Sequence, residues 1–191
     1  RLAEKGVAVP QTIFADHVDA AVLEAAFAAT GAEALIVKPT VSGGAWRTLR
    51  VTAGDPLDMA LADAPVGGTM IQPYLKAIET EGETSLLYFG GELSHVVNKR
   101  PGAAGEFRIQ TQYGGRYQAL DVAPQGALDL AERTLAAIGE DLLYARIDMT
   151  LNADGDWVLM EAELIEPDFY LAAAPDARAR FGQAVRARLE R

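Results

Sequence analysis

Two apolar runs, Leu143 to Leu151 and Trp157 to Ile165, are separated by Asn152-Ala153-Asp154-Gly155-Asp156, and this pattern constrains the chain most. The intervening residues favour a tight reversal, because Asn, Asp and Gly tolerate the backbone angles a turn requires. The pattern therefore predicts an antiparallel strand pair. Residues two apart on a strand point to one face. Glu161 and Glu163 then project together, and the turn folds the strand carrying Asp148 against theirs. Three carboxylates crowded on one patch repel unless a counter-ion joins them. Magnesium, bound by carboxylates together with ATP phosphates, is one solution. A solvated outer face at a sheet edge is the other.

The rest of the chain reads as a mixture of strands and helices. Extended segments are expected at Val7 to Phe14, Ala34 to Pro39, Thr48 to Thr52 and Thr69 to Leu75. Gly82 to Tyr88 and Glu92 to Lys99 form a hairpin through Phe89-Gly90-Gly91. Helices are expected from His17 to Ala29 with Asp16 as the cap, from Pro56 to Ala62, from Pro124 to Ile138 and from Pro175 to Arg191. Arg100 to Gly115 is polar and glycine-bearing, and reads as a mobile loop. The fold class is α+β, with antiparallel sheets and helices on one side. The division is a smaller unit over 1–70 and a larger one over 71–191.

Composition narrows the function. The 191 residues hold 17 Lys and Arg against 27 Asp and Glu, a formal net charge of −10. That argues against non-specific nucleic-acid binding, which needs a basic surface. With no cysteine, thiolate catalysis and disulfides are excluded; a cytoplasmic setting fits. No apolar run approaches the ~18 residues of a membrane-spanning helix, so no membrane partner is expected. The opening Arg1-Leu2-Ala3-Glu4-Lys5-Gly6 reads as the tail of a helix and suggests a piece of a longer protein.

The basic residues are few, so their positions matter. Lys38 ends an apolar strand just before Ser42-Gly43-Gly44, a loop whose backbone N–H groups can approach phosphate oxygens; an ordinary strand-end lysine and turn is the alternative. Arg100 and Arg108 bracket a glycine-containing segment and suit a phosphoryl group, or else lie on a solvated loop. Gln72-Pro73-Tyr74-Leu75 is a strand end that can present backbone groups to an adenine edge, and Glu83 follows as an acceptor for ribose hydroxyls.

The ordered set Lys38-Pro39, Ser42-Gly43-Gly44, Gln72-Pro73-Tyr74-Leu75, Gly82-Glu83, Arg100, Arg108, Gly114-Gly115, Asp148, Glu161 and Glu163 resembles the ATP-grasp superfamily, in its glutathione synthetase-like branch. The stretch Leu164 to Tyr170 is similar to that of uncharacterised ATP-grasp proteins and of the cyclo-ligase of cycloserine biosynthesis. The resemblance implies two α+β subdomains gripping ATP, with an N-terminal substrate domain outside this chain. It implies Lys38 on ATP phosphates beneath the Ser42–Ala45 loop, Gln72 to Leu75 as the adenine hinge, and Glu83 near ribose and phosphates. Arg100 and Arg108 would meet the transferred phosphate. Asp148, Glu161 and Glu163 would hold one or two Mg²⁺, with Mn²⁺ as an alternative. Glu163 departs from the family pattern, where Asn is common.

The implied activity is an ATP-dependent ligation of a small-molecule or peptide carboxylate to an amine, through an acyl phosphate. A nucleotide-binding module without ligase activity and a small-molecule kinase are the competing readings. Relatives of this kind are often homo-oligomers.

Overall fold

The computed structural model describes residues 1–190; Arg191, the last residue of the expected terminal helix, lies outside them. The described chain divides into two compact units, residues 10–75 and residues 1–9 with 76–191. The sequence reading drew one boundary at 70/71. Two packing facts move the ends. Val7 is buried in the larger core and Ala8 O accepts from Leu159 N, so the first nine residues join the larger unit. The strand at Thr69–Pro73 pairs inside the smaller sheet and stays with it.

The smaller unit is a four-stranded antiparallel sheet in the order β1-β4-β2-β3, made of β1 (Ile13–Ala15), β2 (Ala34–Pro39), β3 (Leu49–Thr52) and β4 (Thr69–Pro73). On β2, Leu35 and Val37 are buried, and with Val51 and Ile71 they meet Leu23 and Ala26 of helix α1 (Ala20–Thr30). Asp19, not Asp16, caps α1: its carboxylate accepts from Val22 N at 2.8 Å, satisfying one of the open N–H groups at the helix start. Helix α2 (Leu57–Ala62) lies beside β3.

The larger unit is a five-stranded antiparallel sheet in the order β7-β6-β5-β8-β9. Its strands are β5 (Glu83–Phe89), β6 (Glu92–Arg100), β7 (Arg116–Leu120), β8 (Tyr144–Leu151) and β9 (Trp157–Glu163). Helices α3 (Ala77–Thr80), α4 (Gln125–Ile138) and α5 (Ala177–Leu189) complete it. Helix α4 buries Ala127, Leu130, Ala131 and Thr134, positions three and four apart on one stripe. That stripe meets Leu86, Tyr88, Val96, Ala145, Ile147, Met149 and Leu159 from one face of the sheet. Burying a side chain such as Leu130 stabilises the unit by roughly 1.5–3 kcal/mol. Strand β7, exposed along most of its length, lies just past the Arg100–Gly115 loop, where the sequence reading assigns no element. It is an edge strand held by backbone pairing to β6, and its Arg-Tyr-Gln-Ala-Leu sequence has little apolar alternation to announce it. No described helix is long and apolar enough to cross a membrane.

Candidate active site

The face of the larger sheet opposite α4 carries the charged residues. On β8, Ala145, Ile147 and Met149 enter the core. Arg146, Asp148 and Thr150 alternate with them and so lie on the other face. Asp148 stands opposite Ser85 on β5 and Glu161 on β9, and Arg146 opposite Glu163. The β8–β9 register slips by one between these residues: Asp148 pairs with Glu161, but Met149 pairs with Leu159. Met160 is the extra residue of a β-bulge. Strict alternation would put Leu159 on the same face as Glu161. The bulge lets Leu159 enter the core while Glu161 and Glu163 stay with Asp148.

Two cations lie among these carboxylates. Lys99 Nζ is 2.5 Å from Glu83 Oε1 and 3.4 Å from Asp148 Oδ2, with the lysine side chain only 3% exposed. Arg146 donates from Nε to both oxygens of Asp148 at 3.1 Å and from Nη2 to Asp148 Oδ2 at 2.9 Å. The same Nη2 donates to Glu163 Oε1. Ser85 Oγ donates to Asp148 Oδ1 at 2.5 Å. Gly82 leads into this corner at φ 80°, and a Cβ there would lie 2.5 Å from Lys99 O, so only glycine allows β5 to start so close to β6.

The electrostatics follow from burial and pairing. Burial alone would raise the Asp148 carboxyl, but Lys99, Arg146 and the Ser85 hydroxyl outweigh it and hold Asp148 below the usual carboxylate range. Burial likewise opposes the charge on Lys99 and Arg146, yet their carboxylate neighbours win and both stay protonated. Glu83 has to share Lys99 with Asp148, so burial prevails there and its carboxyl is raised. Glu163 is pushed up to about 7 by burial first, with Arg146 opposing and the neighbouring carboxylates adding.

The sequence-predicted residues fall into distinct places. Asp148, Glu161 and Glu163 each offer a carboxylate oxygen within 4.8 Å of one another. Glu83 joins the same cluster through Lys99. Arg100 has the opposite strand parity to Lys99, and its Nε donates to Asn98 Oδ1 at 3.0 Å. Arg108 is gripped by Glu106, which accepts from its Nε and Nη2, and its guanidinium lies 3.7 Å from the Tyr113 ring centroid.

In the smaller unit Lys38 is half-buried on β2, on the face away from Leu35 and Val37. The loop after it is tightly wound. Ser42 Oγ donates to Trp46 O, and Ala45 and Arg47 hold left-handed φ values of 58° and 50° beside Gly44 at 61°. Gln72 spends its side chain on Thr12 Oγ1, at 2.8 Å, while Tyr74 N–H donates to Ala34 O and closes β4 onto β2. Pro73 is opposite Leu35, and Leu75 is the last residue of the smaller unit.

Lys99, Arg146 and Ser85 are site residues that the sequence reading passed over. Arg146 had a signal, since it sits two residues before Asp148 and must share its face. Lys99 was overshadowed by Arg100, and only the hairpin register opposite Glu83 separates the two.

The donor set suits a hard divalent cation. Carboxylates outnumber cations in the cluster, four to two, and every ligand atom on offer is oxygen. No protein-family model matches the chain. The cycloserine biosynthesis protein DcsG of Streptomyces lavendulae is 32% identical over 203 residues, covering 99% of this chain and 67% of that protein. The chain belongs to the ATP-grasp family. Among solved structures, the crystal structure of D-cycloserine synthetase DcsG matches with a TM-score of 0.79 at 29% identity, over 98% of this chain and 67% of that one. The D-alanine–D-alanine ligase of Bacillus anthracis shares the ATP-grasp fold, with a TM-score of 0.67 at 17% identity over 99% of this chain and 66% of that one. So does the ATP-grasp ligase PsnB in complex with a minimal precursor, Mg and ADP, with a TM-score of 0.63 at 18% identity over 96% and 56%. As an ATP-grasp chain, the protein is a ligase.

Proposed function

We propose that this ATP-grasp chain activates a carboxylate with ATP and joins it to an amine, through an acyl phosphate. The observation that supports this most is the cluster in which the buried Lys99 and Arg146 are ion-paired with Glu83, Asp148 and Glu163, in a chain related to DcsG. Asp148, Glu161 and Glu163 are the residues that would hold magnesium, which when bound supplies neutralising charge to the ATP phosphates. The chain's own residues do the rest. The substrate carboxylate oxygen attacks the γ-phosphorus; an O–P bond forms and the bond to ADP breaks. The amine then attacks the acyl carbon, phosphate leaves, and the nitrogen loses a proton. Lys38 and the Ser42–Gly44 loop contact the phosphates, Gln72 to Leu75 the adenine, and Glu83 the ribose side. Arg108 and Lys99, rather than Arg100 on the other face of β6, steady the transferred phosphoryl group. Catalysis of this kind is chiefly positioning and charge compensation, with no covalent protein nucleophile.

The relatives' names bear on the substrate. The DcsG relative, a D-cycloserine synthetase, favours a small-molecule carboxylate over a peptide one. Calorimetric titration of ATP, with and without magnesium, tests the reading. Magnesium-dependent binding is expected, weakened about tenfold or more by Glu161→Gln, a loss of about 1.4 kcal/mol. Binding that ignores both magnesium and this substitution would remove the carboxylates from the nucleotide site.

A further inference from the structure

The Lys99–Arg146 pair is enclosed on a second side by a tyrosine. Carboxylates of the sheet hold both cations, and the side chains are 3% and 7% exposed. The Tyr170 ring lies against both: its centroid is 5.6 Å from Lys99 Nζ and 5.3 Å from Arg146 Cζ. Tyr117 from the β7 edge meets that ring edge-on at 5.2 Å.

Tyr170 belongs to the irregular segment after β9, and its placement is imposed. Its φ is 46°, a left-handed value unusual for a bulky side chain, and Glu166 is at 50°. Neighbours hold it there. Tyr170 N donates to Asp168 Oδ1 at 2.9 Å, and Arg146 Nη1 donates to Asp168 O at 3.2 Å. His95 Nε2 donates to Phe169 O at 2.9 Å, while its Nδ1 meets Ser94 Oγ at 2.9 Å. The Phe169 ring is packed edge-on against Phe89 and Tyr144. Backbone strain of this kind persists only where surrounding contacts over-determine it, and such places are often functional.

We propose that Tyr170, held by His95 through Phe169, gates the Lys99–Arg146 pair and so determines which anionic group the site admits. The electron-rich face of a tyrosine ring attracts a cation and repels an anion. Ring and anion therefore compete for the same two cations. An anionic oxygen engages Arg146 only by displacing the ring, and a weakly held anion fails to do so. The identity of that anion, a carboxylate or phosphoryl oxygen, rests on the ligase reading; the shielding does not.

Arginine modification by phenylglyoxal, mapped by mass spectrometry, tests the gate. Arg133, exposed on α4, is the internal reference. In the wild type and in Tyr170→Phe, Arg146 reacts slowly relative to Arg133. In Tyr170→Ala that ratio rises about tenfold, the factor expected for one partly buried cation–π contact. Inorganic phosphate then protects Arg146 in Tyr170→Ala but not in the wild type. Equal ratios in wild type and Tyr170→Ala, or equal protection by phosphate, would overturn the proposal. If circular dichroism shows that Tyr170→Ala has unfolded, His95→Asn carries the test: it keeps the ring and removes its anchor. Arg146 labelling must then rise by about threefold or more, a shift within the range of one lost hydrogen bond, or the gate is wrong. The magnesium–ATP titration of the wild-type chain reports on the ligase reading separately.

Discussion

The two units handle charge in opposite ways. In the smaller one the core face of β2 is apolar, and Lys38, on the other face, is half-buried. In the larger one Lys99, Arg146 and Asp148 are all buried on the face opposite α4, where each is matched by a partner of opposite sign. A buried charge is expensive to desolvate and is tolerated only when paired and hydrogen-bonded. The larger unit thus gains fixed, preoriented groups and becomes sensitive to the loss of any one. The smaller unit leaves its cation exposed enough to be replaced without harm to the fold. The buried charges of the larger unit belong to its stability; Lys38 of the smaller one does not.

The sharpest way to break this comparison is Arg146→Ala. The guanidinium serves Asp148 and Glu163 together, and its removal leaves Glu163 without its counter-charge and Asp148 with Lys99 alone. The expected destabilisation is about 3–5 kcal/mol, read from the urea midpoint of the larger unit. A loss below 1 kcal/mol, on the order of a surface pair, would mean that Lys99 or solvent compensates and the cluster is not a unit.

Much of this was legible in the sequence. The strands on either side of Asn152–Asp156, the Gly90-Gly91 hairpin and the α4 stripe carry strong local signals, and all appear as expected. The convergence of Asp148, Glu161 and Glu163 was legible too, because strand parity and a turn suffice for it. What was not legible depends on long-range register. The bulge at Met160 leaves no local mark, yet it decides that Leu159 is core. Whether Lys99 or Arg100 faces Glu83 is settled by the β5–β6 pairing, which slips at Leu87 and Tyr88. The role of Tyr170 against the cations required a segment with no periodicity at all.

The Arg108 site, on a loop of the larger unit, should behave between the two extremes. Glu106 accepts four hydrogen bonds, from Phe107 N, Arg108 N, Arg108 Nε and Arg108 Nη2. The Arg108 hydrogen bonds come first in holding its carboxyl down to about 2. A carboxyl depressed in the folded state stabilises above its unfolded pKa, near 4.5, and that stability disappears as pH falls through about 2. Because the pair is near solvent, the contribution is about 1 kcal/mol or less. Melting temperatures of wild type and Glu106→Gln should therefore differ at pH 6 and converge by about pH 2. A difference that is independent of pH would show that the loop is held by something other than this charge.

Lys38→Ala should give the smallest stability change and the cleanest contrast with the buried cations. Lys38 sits at the end of β2, opposite Met70 on β4, with its side chain on the face away from the Leu35 and Val37 core. Truncating it removes no core contact, so stability should stay within about 0.5 kcal/mol of wild type. Under the proposed function it should nonetheless weaken magnesium–ATP binding about tenfold, because a lysine ammonium facing phosphate is a charge-assisted contact. Calorimetry and urea unfolding on the same variant separate the two effects. A stable variant with unchanged affinity would take Lys38 out of the nucleotide site. A variant that unfolds easily would show that the smaller unit, like the larger, depends on its charge for its fold.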